Sequence, residues 1–248
     1  MSLSLENITV LRSGRSILDD VTINCQPGQF TAFCGPNGAG KTTALRTMSG
    51  LLPPDKGTAK LDDISISRMG ALKLARRRGF VAQSATLSFP FRVHEVIEMG
   101  RTPHFGVSTQ AEDAEAVTQA MALMAVDQMA ERDYLTLSGG ERQRVMIARA
   151  LAQIWYEPSD GDRWLLLDEP TSALDLKYQL KLIALVRKLA DSGWGVIAVL
   201  HDLELVRRAA NRVILFKDGQ VKSDGHPTDK LTPNTITDIF DLDEPYTG

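Results

Sequence analysis

The chain has 248 residues, 43% of them hydrophobic, which is material for one large domain with a sizeable core. Lys and Arg (28) nearly balance Asp and Glu (31), and a net charge of −3 leaves no basic footprint for non-specific nucleic-acid binding. The longest apolar runs, such as Val196 to Leu200, fall far short of the ~20 residues that a membrane-spanning helix needs. Glu6, Arg12, Arg15, Asp19 and Asp20 interrupt the N-terminal stretch, so no signal peptide is visible. A chain of this size does not depend on a disulfide. Of its two cysteines, Cys34 closes an apolar run and reads as a buried, reduced thiol. Together these features describe a soluble cytoplasmic protein.

Short apolar runs at Leu3–Val10, Val21–Ile23 and Phe30–Phe33 alternate with turn signals at Ser13-Gly14 and Pro27-Gly28, which predicts strands. Phe30–Cys34 has the near-continuous apolar character of a buried strand feeding a helix. That helix is expected from Lys41 to Gly50, with Pro53-Pro54 beyond its end. A hairpin-like pair follows over Gly57 to Ile66. From Val93 to Ala130 the composition turns to Ala, Glu, Gln and Met, with Val117, Met121, Met124 and Val126 near helical spacing. Ser138, with Glu141 three residues on, predicts a capped helix running towards Gln153. Ile154–Arg163 reads as a surface loop, Trp164–Leu167 as a strand, Tyr178–Ala190 as an amphipathic helix and Val196–Leu200 as a buried strand. Val213–Phe216 and Gly219–Val221 form a hairpin around Asp218-Gly219. Strands alternating with helices imply a mostly parallel wound sheet.

Three motifs carry chemistry. Gly35-Pro36-Asn37-Gly38-Ala39-Gly40-Lys41-Thr42 fits G-x-x-x-x-G-K-[ST] at every fixed position, and Thr43 follows it. Gly38 and Gly40 let backbone N–H groups approach phosphate oxygens, and the helix start adds positive potential. Lys41 can reach the β- and γ-phosphates, and the Thr42 hydroxyl can ligate Mg²⁺. Asp168 ends an apolar strand, a position from which a carboxylate can hold Mg²⁺ through its water shell. Ser138-Gly139-Gly140 places a hydroxyl, two small residues and a helix N-terminus together, a second anion-binding arrangement separate from the first.

In this order, Gly35–Thr42, Leu137–Arg144 and Trp164–Pro170 resemble the ATP-binding subunit of an ATP-binding cassette (ABC) transporter, over roughly residues 3 to 241. The resemblance implies a P-loop NTPase with a RecA-like α/β core, an antiparallel β subdomain and an inserted helical subdomain. It also implies a single domain over residues 2–243, with the core at about 2–85 and 151–243 and the helical part at about 86–150. It assigns Glu169 as the carboxylate that polarises the attacking water. Gln83 becomes a sensor of Mg²⁺ and γ-phosphate, His201 the switch histidine, and Ser172-Ala173-Leu174-Asp175 the loop that bridges subunits. The family's head-to-tail homodimer would lay Ser138, Gly139 and Gly140 of one subunit over the ATP held by Lys41 of the other. One position departs from the pattern. Where the family stacks an aromatic residue on adenine, this chain has Arg12, whose guanidinium plane either stacks on the base or faces solvent.

The resemblance further implies ATP and Mg²⁺ as ligands and ATP hydrolysis coupled to transport. It places two copies of the chain on two copies of a transmembrane permease, at the cytoplasmic face of the inner membrane. Ser88–Val93 with Met99–His104, Asp133–Ser138 and His201-Asp202-Leu203 look like segments of metal-chelate importers. The loop Ile154–Arg163 looks like that of haem (hemin) importers, which would bring in a periplasmic haem-binding protein as an indirect partner. Ferric-siderophore and cobalamin importers are the neighbouring alternatives, and a soluble ATPase of the iron–sulfur assembly type is the alternative outside transport. Histidines 94, 104, 201 and 226 are scattered, so no haem site is expected in this chain. Leu87, Phe89 and Phe91 are unusually apolar for a loop and suggest a partner surface.

Overall fold

The computed structural model describes residues 2–83 and 87–246, arranged as two compact units, residues 1–69 with 183–248 and residues 70–182. In chain order the first unit opens with β1 (Leu3–Arg12), β2 (Arg15–Cys25), β3 (Phe30–Cys34), α1 (Lys41–Met48), β4 (Lys56–Leu61) and β5 (Ile64–Ser65). The second holds α2 (Ala71–Arg77), β6 (Arg78–Val81), α3 (Val93–Glu98), α4 (Gln110–Leu123), α5 (Gly139–Gln153), β7 (Trp164–Asp168) and the first turns of α6 (Leu176–Asp191). The chain then completes the first unit with β8 (Gly195–Val199), α7 (Leu203–Ala209), β9 (Arg212–Lys217), β10 (Gln220–Gly225), α8 (Pro227–Lys230) and α9 (Pro233–Phe240).

In the first unit β1, β2, β4 and β5 form an antiparallel sheet in the order β2-β1-β4-β5. Two-residue turns close its hairpins, with positive φ at Ser13 and Gly14 and again at Asp62 and Asp63. The Asp218-Gly219 turn between β9 and β10 has the same form, the geometry whose twist matches that of paired strands. The unit's other strands run β10-β9-β3-β8, with β3 parallel to both β8 and β9. Every residue of β3 and β8 is buried, as expected of strands covered on both faces. The rings of Phe33 and Phe216 meet at 5.1 Å and 55°, a tilted aromatic pair worth about 0.5–1.5 kcal/mol beyond its burial.

In the second unit β6 and β7 pair in parallel, Val81 opposite Leu167. The segment expected to be helical is helical, with α3, a 3₁₀ stretch Met99–His104 containing Pro103, and α4. The unit is not purely helical, because it also carries β6 and β7. Its core forms around α5, which buries Val145, Ile147, Ala148, Leu151 and Ala152 and packs on α3, α4 and β6. Gly79 and Gly100 make those approaches possible. A Cβ on Gly79 would lie 2.9 Å from the Ala150 carbonyl oxygen, and one on Gly100 only 2.4 Å from that of Arg149. The Gln153 side chain ends α5 by donating to the carbonyls of Ala75 (2.7 Å) and Arg78 (3.0 Å).

The loop Ile154–Arg163 lies between α5 and β7 as the sequence predicts, and it is firmly anchored. Buried Arg77 donates to the Asp162 carbonyl, and its guanidinium fills the space where Gly161 would otherwise carry a Cβ. Lys73 pairs with Asp160 at 2.8 Å, and the Tyr156 hydroxyl donates to Glu115 at 2.9 Å. Helices α2, α7, α8 and α9 are too short to announce themselves by periodicity.

Replacing Gly100 by alanine forces backbone apart at the α5 contact, an overpacking change of about 1–3 kcal/mol. Thermal unfolding followed by circular dichroism should show Gly100→Ala melting several degrees below wild type. Gly70→Ala, at an N-cap with open space and ordinary φ, should melt within about a degree of wild type.

Candidate functional site

The phosphate-loop residues leave the buried end of β3 through a backbone that only glycine adopts easily. Gly35, Gly38 and Gly40 have φ of 141°, 80° and 98°. At Gly35 a Cβ would sit 2.1 Å from the Phe216 carbonyl oxygen, and at Gly40 it would meet Leu18 and the Ile17 carbonyl below 3 Å. The loop is therefore pressed onto the floor formed by β2 and β9, and its other side, at exposed Asn37 and Gly38, faces outward. No side chain caps the start of α1, so its orientation supplies the helix-terminal donors and dipole that an anion uses. Lys41 is buried, and its Nζ donates to the carbonyls of Gly35 and Pro36 at 2.7 Å each. The ammonium is thus held across the mouth of the loop. Thr42 and Thr43 lie half-buried on the first turn of α1, and Ala39 is buried.

The same unit carries His201 and Arg12. Phe33 of β3 is level with Val199 of β8, and the Leu200 N–H donates to the Phe33 carbonyl at 3.1 Å. The phosphate loop and exposed His201 therefore leave corresponding ends of adjacent parallel strands, where ligands bind in open α/β sheets. Asp202 caps α7, accepting from the N–H groups of Glu204 and Leu205. Arg12 is exposed at the tip of the β1–β2 hairpin, its guanidinium donating to the Leu11 carbonyl at 3.1 Å.

In the second unit, strand pairing brings Glu169 and the glutamine together. Gln83 and Glu169 each stand two residues beyond the paired Val81 and Leu167, and Gln83 Nε2 donates to Glu169 Oε2 at 2.8 Å. Asp168 ends β7 at only 3% exposure. Glu169 has φ 48°, a left-handed turn that points it away from the strand direction. Its carbonyl accepts from both the N–H (3.2 Å) and the hydroxyl (2.9 Å) of Ser172.

Ser138 and Glu141 form the expected reciprocal cap. The Ser138 N–H donates to Glu141 Oε2 at 2.7 Å, and the Glu141 N–H donates to Ser138 Oγ at 3.3 Å. These bonds hold the Glu141 carboxyl below the usual carboxylate range. The double glycine has a neighbour the sequence did not reveal. The Ala173 carbonyl oxygen lies 2.9 Å from where a Cβ of Gly140 would be, so the Ser172–Asp175 loop rests on the start of α5.

The model for the ABC transporter family matches residues 18–172. The chain belongs to that family. Among relatives of this ABC cassette, the Hemin import ATP-binding protein HmuV of Hahella chejuensis is 42% identical over 238 residues, covering 95% of this chain and 91% of that protein. The Cobalamin import ATP-binding protein BtuD of Halobacterium salinarum is 43% identical over 245 residues, 97% of this chain but 59% of that longer protein. A solved dimeric ATP-binding cassette in a post-hydrolysis state, bound to ADP and Pi, matches with a TM-score of 0.79 at 28% identity, over 91% of this chain and 98% of that one. The cassette is thus an ATPase fold throughout, and no helix of the described residues is long and apolar enough to cross a membrane.

Cys34, immediately before the phosphate loop, and Cys25 are both buried free thiols. Burial pushes each up to about 12, against the opposing pull of nearby Lys41 on Cys34 and of Arg212 on Cys25. A raised thiol pKa means almost no thiolate at pH 8, and thiolate is the reactive form. Iodoacetamide at pH 8 should therefore label neither cysteine in the folded protein and both in denaturant, as read by mass spectrometry.

Proposed function

We propose that this cassette binds ATP and Mg²⁺ and powers a haem importer, with Lys41, Asp168, Glu169 and Ser138 in separate roles. The observation that carries the nucleotide reading is the phosphate loop: left-handed glycines pressed onto backbone, an uncapped helix start, and a lysine ammonium held across the loop. Gly35–Thr43 cradle the phosphates, with Lys41 exchanging its two carbonyls for β- and γ-phosphate oxygens. Thr42 and Asp168 offer hydroxyl and carboxylate oxygens, the hard donors Mg²⁺ takes, and Gln83 adds an amide oxygen. Mg²⁺ there would neutralise charge on the transferring phosphoryl group. Glu169 orients and polarises the attacking water, Gln83 holds Glu169 until nucleotide arrives, and His201 completes the switch at the end of β8. Arg12 offers its guanidinium plane to the adenine.

Two protomers share each nucleotide in this reading, Ser138, Gly139 and Gly140 of one closing over the ATP of the other. Helix α5 can serve that role because its start combines an exposed serine hydroxyl with two residues lacking side chains. The helical subdomain, at about residues 86–150, and the segment after Gln83 meet the permease. Phe89 is 68% exposed there, while Leu87 and Phe91 are half-buried, so Phe89 is the member of the trio left for a partner. The cassette works peripherally at the cytoplasmic face of the membrane, with two permease copies and, beyond them, a periplasmic haem-binding protein.

Haem is favoured as cargo by the named haem relative, matched over 91% of its length, and by the resemblance of the loop Ile154–Arg163 to that of haem importers. A cobalamin importer is the second reading, supported by the relative at 43% identity.

Glu169→Gln should retain MgATP and lose turnover by on the order of 10²–10⁴-fold, since the amide keeps the shape but cannot act as a base. In light scattering this variant should be monomeric without nucleotide and dimeric with MgATP, and adding Ser138→Arg should abolish the dimer. Hydrolysis within about threefold of wild type would remove Glu169 from its role. Phe89→Asp should preserve ATPase activity of the isolated subunit and abolish haem uptake by liposomes carrying the permease and a haem-binding protein. Undiminished uptake would exclude Phe89 as a coupling contact, and cobalamin uptake in place of haem would select the second cargo.

A further inference from the structure

Two consecutive residues at the start of α6 grip segments on either side of them. The Tyr178 ring lies beneath the Arg144 guanidinium, whose central carbon is 4.1 Å from the ring centroid. Arg144 is only 4% exposed, one turn beyond the double glycine of α5, and it also donates to the carbonyls of Met124 and Ala125 at the end of α4. The ammonium groups of Lys177 and Lys181 stand 5.7 and 5.6 Å from the same ring. A buried cation that donates to carbonyls gains most from an aromatic face, because little water competes for it.

Gln179 takes the other side. Its Nε2 donates to the carbonyls of Thr171 (3.1 Å) and Leu174 (2.9 Å), bracketing exposed Ser172 and Ala173. Asp175 closes the loop by accepting the Tyr178 N–H at 3.0 Å. The Ala173 carbonyl in turn packs against Gly140. The loop and the start of α5 are thus joined directly at Gly140–Ala173, and indirectly through α6 by Tyr178 and Gln179.

We propose that Tyr178 and Gln179 are positioning residues that lock the Ser138 helix start and the Ser172–Asp175 loop into one rigid piece. Both segments then present themselves to a second protomer's nucleotide in fixed register. The inference rests on the shared-site reading above. In this role each acts through Arg144 or the loop carbonyls rather than on the nucleotide itself.

The test is made in the Glu169→Gln background, with light scattering as a function of MgATP and nucleotide binding measured on dilute, monomeric protein. Tyr178→Leu should raise the MgATP needed for half-maximal dimerisation about tenfold, the scale of a desolvated cation–π contact, with nucleotide binding by the monomer unchanged. Tyr178→Phe keeps the ring face and should restore the parent midpoint. Gln179→Ala, at a half-buried position, should raise the midpoint without the core disturbance that could unfold Tyr178→Leu. Parent-like dimerisation of Gln179→Ala, or of Tyr178→Leu where it folds, overturns the proposal, as does Tyr178→Phe failing as badly as leucine. A Glu169→Gln parent that stays monomeric in MgATP overturns the shared-site reading itself, an outcome distinct from a dimerising parent with indifferent variants.

Discussion

Six residues between Cys34 and Lys41 set the terms for the first unit. A strand buried on both faces must become a helix whose first N–H groups remain available to a ligand, and it must do so pressed against other backbone. The Phe216 carbonyl lies 2.1 Å from the missing Cβ of Gly35, and Ile17 and Leu18 crowd Gly40. These contacts fix the loop from below. The Phe33–Phe216 ring pair and the pairing of β3 with both β8 and β9 keep the floor rigid. Preorganised donors of this kind need no reorganisation when negative charge arrives, which is where much of their effect comes from.

The second unit answers a different constraint, the delivery of carboxylates from a strand that cannot itself be solvated. Trp164 to Asp168 is wholly buried, so Asp168 is reached only at the strand's end. The left-handed residue at Glu169 turns the chain immediately afterwards. Parallel register with β6 then does the rest. Because Val81 is level with Leu167, the glutamine two residues on meets the glutamate two residues on. A one-residue slip of either strand would turn that strand's side chains to the opposite face and separate the glutamine from the glutamate. The Gln83–Glu169 bond is therefore a consequence of sheet register more than of the two side chains' affinity.

Much of this was legible because local chemistry and local spacing coincide. The glycine-bearing strand-to-helix connection at Gly35–Gly40, the Ser138–Glu141 cap and the turns at Ser13-Gly14 and Asp218-Gly219 are contained within a few residues, and the backbone takes the form expected at each. The Asp62-Asp63 turn has the same backbone without a glycine, so it gave only a diffuse signal. What the sequence withheld is contact between distant segments: Gly140 on Ala173, Gly100 on Arg149, Arg77 inside the Gly161 turn, and Arg144 over Tyr178. Each depends on a residue at least 33 positions away, and no periodicity encodes it. The short helices α2, α7 and α8 escaped for a related reason, since one or two turns cannot establish a helical repeat.

The opening of α5 shows how function and stability are separated in this fold. Glycine in a helix costs about 1 kcal/mol relative to alanine, and two stand in the first turn. The Ser138–Glu141 reciprocal cap offsets part of that cost, since a lost cap is itself worth about 1 kcal/mol. Gly140 has an internal reason to be glycine, because the Ala173 carbonyl oxygen lies only 2.9 Å from its Cβ position. Gly139 has none: its nearest neighbour is the Ala173 methyl at an ordinary 3.9 Å, and its backbone is not left-handed. Alanine there would fit the described residues of a single protomer and stabilise the helix. In the proposed shared site, the missing side chain at exposed Gly139 would leave the N-terminal backbone of this helix open to the close approach of an anion held by a second protomer.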